Sequence, residues 1–256
     1  MPRKNRRLPR HLLVIRNSAM GDVAMLPHAL RALRSAYPDL RITVATRELF
    51  RPFFDGLGVE LLALDPKGRH KGIGGLLRFA REARALGVDA VADAHDVLRS
   101  QVIRTALRLH GLRVAVIDKG RKEKRRRLGA CPPGAPPLRH TVQRYCDVFR
   151  RLGFVFPDPE PAPPARRPNP LGEKRGRWVG FAPFSAHPGK TYPFGPSERL
   201  VRMLSDRFDR VFIHSGPGAE AEWAAGMERC YGNVTALCGR VKLAGEIDLI
   251  ANLDCV

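Results

Sequence analysis

No stretch of this 256-residue chain is both apolar and long. The longest apolar runs fall far short of the ~20 residues a bilayer-spanning helix needs. The amino terminus, MPRKNRRLPR, is basic, but the apolar run after it, Leu12-Leu13-Val14-Ile15, covers only four positions. A secretory core is longer, so no signal peptide is expected. Cysteine is sparse, and the five present (Cys131, Cys146, Cys230, Cys238, Cys255) form no CxxC and no zinc-ligand spacing. That argues against a disulfide framework or a zinc site and for reduced thiols, read as small buried apolar residues. Two nucleotide signatures are missing as well. The first βα turn, NSAMGD (17–22), has one glycine rather than the three of GxGxxG, and no GK[ST] follows.

What the chain has in excess is positive charge. It carries 45 Lys and Arg against 25 Asp and Glu, a net charge of +20. Such a field attracts anions: nucleic acid, an anionic membrane surface or phosphorylated small molecules. The charge is densest in the amino-terminal tail and in DKGRKEKRRR (118–127), segments that read either as a nucleic-acid-binding element or as a solvated basic loop. A nucleic-acid binder fits the charge alone. The basic segments, however, hold few aromatics for base stacking, and no RNP, zinc-finger or helix-turn-helix signature is present.

Strand-like runs at 11–16, 40–45, 59–64, 88–93 and 112–117 alternate with helical patterns near 23–36, 73–86 and 97–109, plus a short one near 48–55. In GLLRFAREARALG (75–87), Leu76, Leu77, Ala80, Ala83 and Leu86 form one apolar stripe and Gly87 closes it. The alternation predicts parallel strands with crossover helices, an α/β domain over 1–156 that ends with the helix HTVQRYCDVFRRLG (140–153). Residues 157–176, dense in proline, read as a linker. The α/β pattern then restarts over 177–256: strand RWVGFAP, helix 197–208, strand RVFIHSG, helix 219–229, strand NVTAL, helix LAGEIDLIANL. The chain stops at DCV, where a further strand is due, so this second domain is expected to be incomplete.

Ligands of open parallel sheets sit outside the carboxyl ends of the strands, which directs attention to the residues just after each strand. After the first comes Asp22. As an N-cap it accepts a backbone N–H, worth ~1 kcal/mol. Alternatively Pro27 delays the regular helix to about Met25, leaving Asp22 in a loop. After the fourth strand, DAHDVLRSQ offers His95 and Arg99 to an acidic substrate, with Asp96 as a cap. In the second domain, APFSAHPGKTYPFGPSE (182–198) places Ser185 and Lys190 before a helix amino terminus, a pattern suited to a diphosphate. HSGPGAEAEW (214–223) places Glu220 where a carboxylate can accept ribose hydroxyls or simply favour a helix first turn.

The segments LLVIRNSAMGDVAMLPHALRALRSAYPDLRITVAT, GFAPFSAHPGKTYP and RVFIHSGPGAEAEW together resemble glycosyltransferase family 9, the ADP-heptose:lipopolysaccharide heptosyltransferases. VADAHDVLRSQVIR and AVIDKGRKEKRRRL are similar to a Bacteroidetes-type branch of it. The resemblance implies a GT-B fold, two Rossmann-like domains with parallel sheets facing a cleft. It implies an inverting, metal-independent transferase without cofactor, with Asp22 as general base. Ser185 and Lys190 would contact the donor diphosphate, Glu220 the ribose, and Lys242 and Leu243 the adenine. Ser18, Gly21, His95 and Arg99 would serve the acceptor. The implied partners are ADP-heptose and the anionic lipopolysaccharide core, with the chain in the cytoplasm, peripheral to the inner membrane, and no nucleic acid bound. One departure stands out: the family's DxG…H segment, due shortly after DCV, is not in this sequence.

Overall fold

The computed structural model describes residues 7–129, 134–160, 167–185 and 187–256. The basic tail 1–6, Cys131, residues 161–166 of the expected linker and Ala186 of the 182–198 loop therefore lie outside the described residues. The chain divides into two compact units, Met1–Pro161 and Ala162–Val256.

The first unit is a five-stranded parallel sheet: β1 (His11–Ile15), β2 (Arg41–Thr46), β3 (Glu60–Ala63), β4 (Ala90–Asp93) and β5 (Arg113–Val116). Their order across the sheet is β3-β2-β1-β4-β5. β1 is central, and all five of its residues are buried. In-register pairs such as Val14 with Val44 and with Ala92 fix its neighbours. The helices are α1 (Met20–Ala36), α2 (Gly72–Ala85), α3 (Leu98–Leu109), α4 (Arg121–Gly129) and α5 (Thr141–Arg151), with a 3₁₀ turn over Glu48–Phe54.

Strand alternation divides the core between the two faces of this sheet. Leu13, Ile15 and Val91 pack against Leu76, Phe79, Ala80 and Ala83 of α2 and Ile103 and Leu107 of α3. On the opposite face, α1 and α5 pack against each other, and Val23, Leu26, Leu30 and Leu33 of α1 are buried. Pro27 sits inside α1 without ending it. Its missing N–H costs one backbone bond, and burial of the flanking apolar stripe outweighs that loss.

Two sequence expectations change here. α1 starts at Met20, neither at Val23 nor near Met25, and its N-cap is Ala19, without a side-chain hydrogen bond. Gly21 is thus the second residue of a helix, not a turn. The basic 118–127 segment is not a loop throughout, since α4 forms from Arg121 onward. Its Arg, Lys, Glu and Leu residues have high helix propensity despite the lack of an apolar stripe.

The second unit is a three-stranded parallel sheet of order β6-β7-β8: β6 (Trp178–Phe181), β7 (Arg210–Ile213) and β8 (Val234–Ala236). Val179, Val211 and Ile213 face Val201 of α6 (Phe194–Ser205) and Ala224 of α7 (Ala219–Cys230). Trp178 and Phe212 face Leu249 of α8 (Leu243–Ile250). The closing residues run along the free edge of β6, where Gly180 N donates to Cys255 O at 2.9 Å and Val179 bridges Cys255 in parallel. Of the described cysteines only Cys146 is buried, its thiol pushed up to about 11 by burial. Cys230 and Cys255 are exposed, so the reading of all cysteines as core residues fails.

No helix among the described residues is long and apolar enough to cross a membrane. Phe79 is fully buried and meets the His70 ring edge-on at 5.1 Å. Phe79→Ala should cost about 3–5 kcal/mol, read by urea unfolding of the first unit. Val155→Ala, at an exposed position, should stay within about 0.5 kcal/mol of the parent.

Candidate functional site

The carboxyl ends of β1, β4 and β5 converge on one corner of the first unit, and Arg16, the residue that ends the apolar run of β1, organises it. Its buried guanidinium donates through Nη1 to the Ala94 carbonyl at 2.7 Å. Through Nη2 it pairs with the Asp22 carboxylate. It also lies 5.8 Å from the centroid of the Tyr145 ring. Tyr145, in α5, donates its hydroxyl hydrogen to the Asp22 backbone carbonyl at 3.0 Å. Burial pushes that phenol up to about 12, which keeps the hydroxyl a donor. Asp22 is therefore held at its carboxylate and at its main chain.

Asp22 is not an N-cap. It occupies the third position of α1, in the first turn, where a negative charge is favoured by the helix dipole. Its carboxylate turns aside to Arg16 through Oδ2, and Oδ1 has no partner among the described residues. The Asp22 side chain keeps 40% of its surface open.

His95 stands opposite. Its Nε2 is 3.2 Å from Ser18 Oγ, so the structure brings Ser18, Asp22 and His95 together. Burial, and then the nearby Arg16 charge, lowers His95 to about 4, so the ring is neutral near pH 7. The turn that presents it is tied from beneath. Asp93 Oδ1 accepts from the backbone N–H groups of His95 (2.9 Å) and Asp96 (2.8 Å). Arg104 bridges Asp93 Oδ2 at 2.6 Å and Asp96 Oδ1 at 2.9 Å. Asp96 adopts a left-handed φ of +48° and does not cap α3, whose N-cap is Val97. The reciprocal tie there comes from Ser100, whose Oγ accepts from Val97 N at 3.0 Å.

Arg16, Ser18, Asp22, His95, Lys119, Lys124, Arg139, His140 and Arg144 surround a concavity of about 560 Å³. Five of these are lysine or arginine, and Asp22 is the lining's single acid. Lys119 donates to the Asp96 carbonyl at 2.9 Å, and burial lowers its pKa. Arg144 is anchored by Glu123 at 2.8 Å and lies against Gly120, where φ is +62° and a Cβ would collide with the guanidinium. A contiguous hollow of about 690 Å³ shares Lys119 and adds Arg121, Lys122, Arg126 and Arg127, together with the acids Asp96, Asp118 and Glu123. Among the described residues, no carboxylate lies within ion-pair distance of Lys124 or of those four cations. The concavity around Asp22 thus combines one oriented carboxylate with a wall of cations suited to an anionic ligand.

Two expected members are not there. Arg99 is the second residue of α3 and lines a separate groove between α2 and α3, so it does not join His95. Gly21 has open space where a Cβ would stand, so nothing in the structure requires glycine there. Arg16, Lys119, Arg139, Arg144 and Tyr145 were missed. Arg16 had a signal, a charge closing an apolar strand. Tyr145 had none, being 123 positions from its partner.

In the second unit, Ser185 and Lys190 share one loop. Thr191 Oγ1 donates to the Ser185 carbonyl at 3.1 Å and accepts from Ser185 N at 3.2 Å. Lys190 closes a 3₁₀ turn (Pro188–Lys190), with its N–H donated to the His187 carbonyl at 2.9 Å. Glu220, in the first turn of α7, accepts from Gly216 N at 2.7 Å, which staples the glycine turn after β7. A Cβ at Gly216 would meet that carboxylate at 2.8 Å. Lys242 is the N-cap residue of α8 and Leu243 its first residue. His214 Nε2 and Ser215 Oγ are buried without partners among the described residues, although such groups are normally satisfied. No group of three or more His, Cys, Asp or Glu among the described residues is arranged to hold a metal ion.

No protein-family model and no curated protein matches the sequence. Solved structures do match in shape. A glycosyl transferase family 9 protein from Veillonella parvula superposes with a TM-score of 0.71 at 19% identity, over 94% of this chain and 73% of that one. E. coli heptosyltransferase WaaC, solved with ADP-2-deoxy-2-fluoro heptose, gives 0.70 at 19% identity, over 95% and 80%. E. coli ADP-heptose lps heptosyltransferase II gives 0.68 at 19% identity, over 95% and 77%. The chain therefore has the α/β fold of GT-B glycosyltransferases, with its strands parallel in both sheets.

The corner also sets a pH response. The folded pKa of His95 lies below its ordinary value, so the unfolded chain binds the extra proton first. Stability should fall as pH drops from about 6.5 toward about 4. His95→Gln should flatten that part of the profile, as measured by melting temperature against pH. An unchanged slope in the variant assigns the acid sensitivity to other groups.

Proposed function

We propose that the chain is an inverting glycosyltransferase that moves a heptose from ADP-heptose to the anionic inner core of lipopolysaccharide. The observation that carries this reading is Asp22: one carboxylate at a strand end, oriented by Arg16, with Oδ1 open toward a hollow lined by cations. An acceptor hydroxyl is a poor nucleophile at neutral pH, and a positioned carboxylate assists by taking its proton in the transition state. In this reading Asp22 Oδ1 takes the proton as the acceptor oxygen bonds to the anomeric carbon. The bond to the nucleotide diphosphate breaks on the opposite face, and ADP leaves with the electron pair. One carboxylate suffices for such a displacement, whereas glycoside hydrolases use two.

The remaining roles follow the same chemistry. Ser18 and neutral His95 form a hydrogen-bonding wall beside Asp22 for acceptor hydroxyls. Lys119, Lys124, Arg139 and Arg144 attract acceptor carboxylates and phosphates. In the second unit, Lys190 and the Ser185 hydroxyl would offset charge on the departing diphosphate without a metal. Glu220 would accept from the ribose through the oxygen not used on Gly216, and Lys242 and Leu243 would border the adenine. The fold likeness to WaaC, solved with an ADP-heptose analogue, supports the nucleotide-sugar assignment. An anionic acceptor on a lipid leaflet makes the enzyme a peripheral protein of the cytoplasmic membrane face, docked in part by charge. A nucleic-acid-binding reading accounts for the net charge but leaves the Arg16–Asp22–Tyr145 clamp without a purpose.

Asp22→Asn should lower turnover by about 10²–10⁴-fold, with the fold retained but the melting temperature lowered, because the buried Arg16 guanidinium loses its charged partner. If the variant keeps its activity, Asp22 is only a helix-dipole partner. If activity falls only in proportion to the folded fraction at the assay temperature, the carboxylate is structural. In a thermal-shift screen of nucleotide diphosphate sugars, ADP sugars should raise the melting temperature most. Equal shifts for uridine and guanosine sugars would remove the adenine assignment.

A further inference from the structure

α2 and α3 lie side by side on one face of the first sheet, and their inward stripes are spent on the core. Each helix carries a second apolar stripe that is largely exposed, although Val102 also packs against the core. On α2 it is Ile73 and Leu77, four apart; on α3 it runs from Leu98 through Val102 to Leu109. Together they line a groove of about 900 Å³. Its apolar rim is bare: Ile73 is 68%, Leu98 80% and Leu109 83% exposed. Single exposed leucines are ordinary, but two facing stripes form a contiguous patch of the kind that marks an interaction surface.

The charges around it have one sign. α3 contains no acid, and α2 contains only Glu82, which is engaged by Arg69 at 2.6 Å and His70 at 3.2 Å. Lys71 and Arg99 border the groove, and Arg78, Arg81 and Arg108 lie exposed on the same helices. None of these five has a carboxylate within ion-pair distance among the described residues. The groove also opens at the sheet edge that bears the candidate site. Val97 lines the hollow around Asp22, and the next residue, Leu98, lines the groove.

We propose that this α2–α3 face docks on an anionic lipid bilayer, with Ile73, Leu77, Leu98 and Leu109 entering the acyl boundary and Lys71 and Arg99 resting among the headgroups. Amphipathic helices lying in the interface combine these two terms, buried apolar area and attraction to anionic lipid. A second copy of the chain is disfavoured, because a two-fold contact would set Lys71 and Arg99 against like charges. An acidic peptide would pair with the rim cations but would leave Ile73, Leu98 and Leu109, each more than two-thirds exposed, largely in water. The proposal names the face for the peripheral association put forward above and does not depend on the transferase chemistry.

The test is flotation of the full chain with phosphatidylcholine vesicles made with and without phosphatidylglycerol. The parent should float only with the anionic vesicles, and less as salt rises. Ile73→Ser/Leu98→Ser/Leu109→Ser leaves the net charge unchanged and should lower partitioning by about tenfold or more. These positions are exposed, so circular dichroism and melting temperature should match the parent. In a second measurement, Leu98→Trp should show blue-shifted emission on anionic vesicles and quenching by brominated acyl chains. If the triple variant floats like the parent, docking occurs elsewhere, through basic segments alone, and this face is overturned. If the parent does not float at all, membrane association itself fails, while Asp22-dependent transfer to a lipid-free acceptor still reports separately on the enzyme reading. If the parent sediments as a dimer that the triple variant abolishes, the face belongs to a second copy.

Discussion

The buried guanidinium of Arg16 is the interaction on which the candidate site depends. A charge taken out of water must be compensated, and this one is compensated by groups from distant parts of the chain: the Ala94 carbonyl, the Asp22 carboxylate and the face of Tyr145. The turn after β1, the turn after β4 and helix α5 therefore meet at one side chain. Burial is the main cause that lowers the basicity of His95 and of Lys119, and the Arg16 charge lowers both further.

The two units differ in how far their sites are built. In the first, Asp22 and His95 are each braced by a further layer of bonds: Tyr145 and Arg16 for the one, Asp93, Arg104 and Ser18 for the other. Such bracing fixes the orientation of both side chains without a ligand. In the second, Ser185, Lys190 and Glu220 are tied only to their own loop or the neighbouring turn, and His214 and Ser215 keep buried polar atoms without partners. Local ties of that kind leave room for a ligand to complete the hydrogen bonding.

Most of the architecture was legible in the sequence because apolar periodicity is a local signal. Every strand and every amphipathic helix of both units follows from it, to within a few residues at their ends. What escaped is what tertiary contacts decide. α1 begins at Ala19-Met20 although alanine is a poor cap, because Arg16 draws Asp22 into the first turn and the apolar stripe is buried through Pro27. α4 has no stripe to read, and the Glu123 pair with Arg144 helps fix it in place. Arg99 was grouped with His95 because they are neighbours in sequence, yet one precedes a helix and the other lies on it, where each residue turns the side chain by about 100°. Within the candidate site, Ser18, Asp22 and His95 could be read at strand ends, while Tyr145, Arg139 and Arg144 became visible only once α5 was packed.

The hydrogen bond from Tyr145 to the main chain of Asp22 also imposes an order in time. A chain made from its amino terminus produces β1 and Asp22 first, then the Ala94 carbonyl 78 residues after Arg16, and Tyr145 only 123 residues after Asp22. Domains fold as units during synthesis, and distant contacts bear the loop-closure entropy of everything between them. The candidate site is thus among the last features of its unit to be completed. Until α5 is made and docks, the first strand and helix exist with their acid unclamped. The segment that opens the chain acquires its chemistry from one of the last helices of the unit.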